Sequence, residues 1–190
     1  MANKGPRVKK IPDGDSHERL VCPECDHIEY QNPKIVNVTV VTYKDEFLLC
    51  RRGIEPSKGY WTIPGGYMEN GESLKEGALR ETFEEAGAKA KAGPLIAIFQ
   101  PPSKEEVIMI FRGELPTREA KAGIESLEVK FFKWEDIPWK ELAFPFVGEA
   151  LLAYQKTKDK TDFQPIMIEG QPYKKLPPAN NNKPPVPPKP

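Results

Sequence analysis

Between Gly65 and Ala88 the sequence places Glu72, Arg80, Glu81, Glu84 and Glu85 downstream of a glycine pair, Gly65-Gly66. Successive residues of a helix turn by about 100°, so Glu81, Glu84 and Glu85 fan across one side. Arg80 stands one turn before Glu84, within reach of a charge-assisted bond. Carboxylates gathered in this way repel one another unless a cation joins them. An all-oxygen donor set of this kind suits Mg²⁺ or Mn²⁺. A solvated acidic helix face would account for Glu84-Glu85 alone, but not for the loop, the arginine and the ordered spacing together.

These groups need a loop, a helix and a sheet to hold them. Ser73 is a candidate N-cap, and Glu76 follows at the capping-box spacing. Leu74, Ala78, Leu79, Thr82, Phe83 and Ala86 predict the inward face of the helix, and Gly87 its stop. Ile35 to Thr42 predicts a strand buried on both faces. Lys44-Asp45 makes a turn, and Glu46 to Arg51 a hairpin partner. Arg51 and Arg52, at that strand's end, can fork onto a diphosphate or form a surface salt bridge. Tyr60 to Pro64 is a short strand leading into the glycines, with Trp61 in the core. Ala88 to Lys91 predicts a short edge strand. Pro94 to Gln100 and Val107 to Phe111 predict a hairpin whose long loop can face a ligand. Phe99 and Gln100 read as core and strand-end residues ahead of ligand contacts. Val129 to Trp134 predicts a further strand, Phe144 to Lys156 an amphipathic closing helix, and Phe163 to Ile168 a late strand.

The 190 residues suffice for one domain with small appendages. Lys plus Arg and Asp plus Glu are 28 each, so no basic field recommends nucleic acid as a partner. No apolar run reaches membrane-spanning length, the basic start is not followed by a signal region, and three cysteines make no disulfide framework. A cytoplasmic protein without membrane contact is expected. Met1 to Lys10 is expected to be loosely held. Cys22-Pro23-Glu24-Cys25 has the form of half a zinc ribbon, with His17 and His27 nearby. Zinc on Cys22 and Cys25, an unmetallated remnant and a redox pair are the open alternatives. From Pro177 onward the chain is Pro, Asn and Lys, an extended tail that either solubilises or docks an SH3-like aromatic groove.

Gly66, Glu72, Arg80-Glu81, Glu84-Glu85 and Gly87, at their observed spacing, resemble the signature box of the Nudix hydrolases. Thr82 and Ala88 stand where that box usually has bulky aliphatic residues. Cys22 to Cys25, followed by Tyr30-Gln31-Asn32-Pro33-Lys34, is similar to the join between a zinc ribbon and the catalytic domain in the ADP-ribose, FAD and NADH pyrophosphatases. Half of that ribbon's ligands are missing here. The long array that follows the box in NADH pyrophosphatases is also missing. The resemblance implies an α+β Nudix fold, a mixed β-sheet sandwiched between helices, preceded by a degenerate zinc-ribbon-like segment. It implies segments at 1–34 (ribbon-like), 35–158 (Nudix), 159–176 (extension) and 177–190 (tail). Mg²⁺ would be held by Glu81, Glu84, Glu85 and the Gly66 carbonyl, with Arg80 and Glu72 fixing the carboxylates. Glu125 or Glu128 would add a ligand or base, with Glu105 and Glu106 as less favoured alternatives, and Gly65, Gly66, Arg51 and Arg52 would meet the substrate. The implied reaction is hydrolysis of ADP-ribose or FAD to AMP plus a phosphorylated partner. The alternatives are a nucleoside triphosphate or diadenosine polyphosphate hydrolase, and a non-catalytic ADP-ribose sensor. A small nucleotide is the expected partner, and a homodimer is compatible with the fold.

Overall fold

In the computed structural model, residues 5–103 and 105–170 are described. They form two compact units that divide between Pro33 and Lys34. The proline-rich tail lies outside the described residues.

In the first unit, β1 (Val8–Lys10), β2 (Arg19–Val21) and β3 (Ile28–Glu29) form a small antiparallel sheet. The expectation of a loose start is corrected for Val8 to Lys10, which pair in register with Val21 to Arg19, while residues 1–4 lie outside the described residues. Backbone pairing orders this stretch despite its polar side chains.

The second unit is built on a mixed sheet. Its strands are β4 (Lys34–Tyr43), β5 (Glu46–Arg52), β6 (Trp61–Thr62), β7 (Gly65–Tyr67), β8 (Lys91–Gln100), β9 (Glu106–Glu114), β10 (Ser126–Lys133) and β11 (Ile166–Glu169). Among the described residues the order is β10-β5-β4-β9-β8-β11, with β6 on β5 and β7 on β4. β4 runs parallel to β9 along one edge. Its other edge pairs first with β7 and then with β5. The β-branched run predicted this central strand, and residues 37 to 42 are all buried.

Helices cover both faces. Val38, Val40, Leu49, Ile96 and Ile110 pack with Val147, Ala150 and Leu151 of α2 (Pro145–Thr157). Val41, Leu48 and Cys50 pack with Ala86 at the end of α1 (Leu74–Ala86) and with Ala88. The alternation of side chains along β4 supplies both cores. The capping box of α1 is complete, and Gly87 ends the helix at φ 57° with its N–H on Phe83 O.

Two local expectations need correction. Phe83 does not face inward but is 52% exposed. The buried stripe of α1 is Gly77, Ala78, Thr82, Glu85 and Ala86. Thr39 Oγ1 donates directly to Ala78 O at 3.2 Å, so the helix lies too close to the sheet for a phenyl ring. Ala88 to Lys91 is not an edge strand: Ala88 is buried below the helix end, and β8 begins at Lys91. Among the described residues, no helix is long and apolar enough to cross a membrane.

Candidate functional site

Arg80 is the hub of the site. Its Nε and Nη2 donate to the two oxygens of Glu72 at 2.9 and 2.8 Å. Nη1 donates to Glu81 at 2.7 Å and to Glu84 at 3.0 Å, and Nη2 also to Tyr67 O at 3.0 Å. One planar cation thus ties the loop after Gly66 to two turns of α1. Held chiefly by the Arg80 guanidinium, and further by the Glu69 N–H, Glu72 has its pKa lowered to about 2.

Glu81 and Glu85 are perturbed the other way. Burial raises Glu81 against the pull of Arg80. Burial raises Glu85 to about 7, opposed by a hydrogen bond from Gly65 N–H and reinforced by Glu81 and Glu125. That hydrogen bond is 3.1 Å long. The fit of Gly66 is close: a Cβ there would stand 2.6 Å from the Glu81 carboxylate, so only glycine lets this backbone meet the acid.

These groups line a cleft of about 630 Å³ that includes Arg52, Gly65, Gly66, Glu84 and Glu125. The loop carrying Glu125 is pinned to the end of α1, with Lys121 N donating to Ala86 O at 2.7 Å and Gly123 N to Glu85 O at 3.0 Å. Among the described residues, no three His, Cys, Asp or Glu side chains are gathered into a ready metal cage. Arg80 stands among the carboxylates instead. The donor set nonetheless fits a hard divalent cation. It is all oxygen, and burial, which disfavours the ionised forms of Glu81 and Glu85, leaves them charges that a bound ion would stabilise.

Adjoining the cleft is a cavity of about 440 Å³ lined by Phe99, Pro101, Ile108, Phe144 and Phe146. The Phe144 and Phe146 rings stack at 5.6 Å between centroids and 10° between planes. Arg52, Gly65, Gly66 and Tyr67 line both spaces. The Arg52 guanidinium lies 5.0 Å above the Phe144 ring, with its Nε on Pro56 O at 2.9 Å. Tyr67 OH donates to Glu106 at 2.6 Å.

The structure brings Gly65, Gly66, Glu72, Arg80, Glu81, Glu84, Glu85, Arg52 and Glu125 to this cleft or its supports. It places Arg51 and Glu128 together elsewhere, 3.7 Å apart, with Arg51 Nε on Gly59 O. Tyr67, Phe144 and Phe146 were not among the expected ligand contacts. Tyr67 could have been suspected from its place after Gly66, whereas Phe144 reads as part of an ordinary amphipathic helix and Phe146 gives no signal. In the first unit Cys22 is buried, Cys25 is exposed, and the Cys22 thiol donates to Glu24 at 3.0 Å. Glu24 also pairs with Arg7. His17 lies against Ser16. These donors do not make a four-ligand zinc site.

Comparison with known proteins supplies the context. Residues 33–153 match the NUDIX domain family, and residues 4–31 match the Nudix N-terminal (zinc-ribbon) family. The chain is 38% identical to a NUDIX hydrolase of known structure from Nitrosomonas europaea, with a TM-score of 0.78, covering 90% of this chain and 96% of that one. It is 29% identical over 119 residues to the ADP-ribose pyrophosphatase of Methanocaldococcus jannaschii, covering 60% of this chain and 69% of that protein. It is 26% identical over 121 residues to the NAD-capped RNA hydrolase NudC of Salmonella heidelberg, covering 63% of this chain and 46% of that protein.

Proposed function

Because the chain belongs to the Nudix hydrolase family, with relatives named as pyrophosphatases, we propose that it hydrolyses the diphosphate bond of ADP-ribose or FAD, releasing AMP and a phosphorylated partner. The observation that carries this reading is the junction of the acidic cleft with the aromatic cavity through Arg52 and Gly65 to Tyr67. A dinucleotide-like substrate has a charged diphosphate next to a flat ring. The two spaces offer complementary surroundings for each.

In this reading Glu81, Glu84, Glu85 and the Gly66 carbonyl hold Mg²⁺ or Mn²⁺. The bound ion would neutralise the diphosphate and acidify a water. Arg80 and Glu72 keep the carboxylates in place. Arg52 reaches the diphosphate from the cavity side: one face of its guanidinium rests on Phe144, and its Nε is held by Pro56 O. Phe144 and Phe146 stack the ring of the substrate. Glu125, whose charge acts on both Glu81 and Glu85, accepts the proton of the attacking water. Glu128, turned to Arg51, has no part in the chemistry.

The test is incubation of the full chain with Mg²⁺ and, in turn, ADP-ribose, FAD, NADH and nucleoside triphosphates, with products separated by ion-exchange chromatography. AMP from ADP-ribose or FAD is expected. Turnover of triphosphates alone would overturn the substrate assignment.

A further inference from the structure

Asn37 of β4 is fully buried, and among the described residues neither polar atom of its side-chain amide has a hydrogen-bond partner. Such amides are uncommon, since burial without a partner forfeits the bonds made to water. The backbone of Asn37 stands opposite Gly66 in the pairing of β4 with β7. Its side chain points under α1. A Cβ on Gly77 would stand 2.6 Å from Asn37 Nδ2 and 2.6 Å from Glu72 Oε1. Glycine inside a helix is unfavourable relative to alanine, yet an alanine here would wedge between the amide and the carboxylate. The missing methyl keeps open the space across which the two face each other. A carboxylate offers about four acceptor sites. On Glu72, Oε1 accepts from the Glu69 N–H and Arg80 Nη2, and Oε2 from Arg80 Nε.

We propose that Asn37 is a positioning residue of the hydrolytic site: its amide closes on Glu72 and so fixes Arg80 and the carboxylates that Arg80 holds. This rests on the diphosphate-hydrolase reading of the cleft. The geometry sets the Asn37 amide across the Gly77 gap from Glu72 Oε1, where it joins the Glu69 N–H and Arg80 Nη2 as a donor. It then acts from beneath the helix without touching substrate.

The experiment uses Asn37→Leu in the full chain, a near-isosteric change that removes the amide. Hydrogen exchange of the Glu69 amide in EDTA reads directly whether Glu72 is held, because that N–H donates to Glu72. The expected result is exchange about tenfold faster, a kcat on ADP-ribose about tenfold lower at unchanged KM, and an undiminished Tm. Wild-type protection at Glu69 together with wild-type kcat would overturn the proposal. If Asn37→Leu lowers the Tm, Asn37→Val decides: it also removes the amide, is smaller than the original side chain, and suits the β-branched strand. Faster Glu69 exchange in that variant at an undiminished Tm supports the proposal, and unchanged exchange overturns it. The exchange measurement needs no substrate, so it stands even if wild-type protein leaves ADP-ribose intact and the substrate reading fails.

Discussion

The acidic cleft draws Arg80, Glu81, Glu84 and Glu85 from less than two turns of one helix, whereas the aromatic cavity takes Phe99 from β8, Pro101 from the following loop, and Phe144 and Phe146 from the start of α2. The first is a local construction. Helical spacing and one arginine arrange its carboxylates, around which Arg52, Gly65-Gly66 and Glu125 close. The second exists only after stretches far apart in the chain have packed. Charge is concentrated in the cleft, flat apolar surface in the cavity, and Arg52 belongs to both. The contrast teaches that the reaction and the choice of substrate are encoded at different ranges along the chain, and that they can be varied separately.

If this division is right, changes on the two sides should fail in different kinetic parameters. The largest effect is expected for the double variant Glu84→Gln, Glu85→Gln, which should lose at least about 10³-fold in kcat. Unchanged turnover by purified variant would place the chemistry outside the cleft. Next, Glu125→Gln should lower kcat by about 10²-fold. Glu128→Gln should stay within about twofold, because its pair with Arg51 is long and half exposed. A reversal of these two would reassign the base. On the other side, Phe144→Leu keeps apolar bulk but removes the stacking ring. Its KM should rise by about tenfold with kcat little changed. A pure kcat loss would mean that the cavity serves the chemistry rather than recognition.

A separate effect is on stability. Glu85 in the folded protein titrates at about 7, above its ordinary 4.5, because it is buried. The fold therefore favours the protonated form. That contribution is fully present below pH 4.5 and is lost as pH rises through 7. Glu85→Gln stays neutral throughout. In EDTA it should exceed the wild type at pH 8 by up to about 3 kcal/mol and match it near pH 4. Urea unfolding at the two pH values checks this. An equal difference at both would show that the carboxyl is not desolvated.

What the sequence made legible follows the same division. Short-range periodicity revealed α1, its caps and the central strand, since each depends on residues a few positions apart. It misplaced Phe83 because the amphipathic pattern does not say how closely a helix approaches its sheet, and here the seam of Gly77, Ala78 and Thr82 leaves no room for a ring. Adjacency grouped Arg51 with Arg52, while strand alternation turns one toward Glu128 and the other toward the cavity. Phe144 read as an apolar helix face because a ring lining a cavity and a ring filling a core look alike along the chain. Asn37, embedded in a β-branched run, gave no signal, since its importance lies in what packs above it.

The register of β4 has a consequence for how such a protein can go wrong. Odd and even positions of this strand serve opposite faces: Val36 and Val38 line the aromatic cavity, while Asn37 and Thr39 lie beneath α1. A slip of one residue would exchange the two sets at once. A misregistered molecule would lose both recognition and chemistry, so there is no route to a half-working trap that sequesters nucleotide without turning it over. One strand therefore makes assembly of the two chambers an all-or-none event.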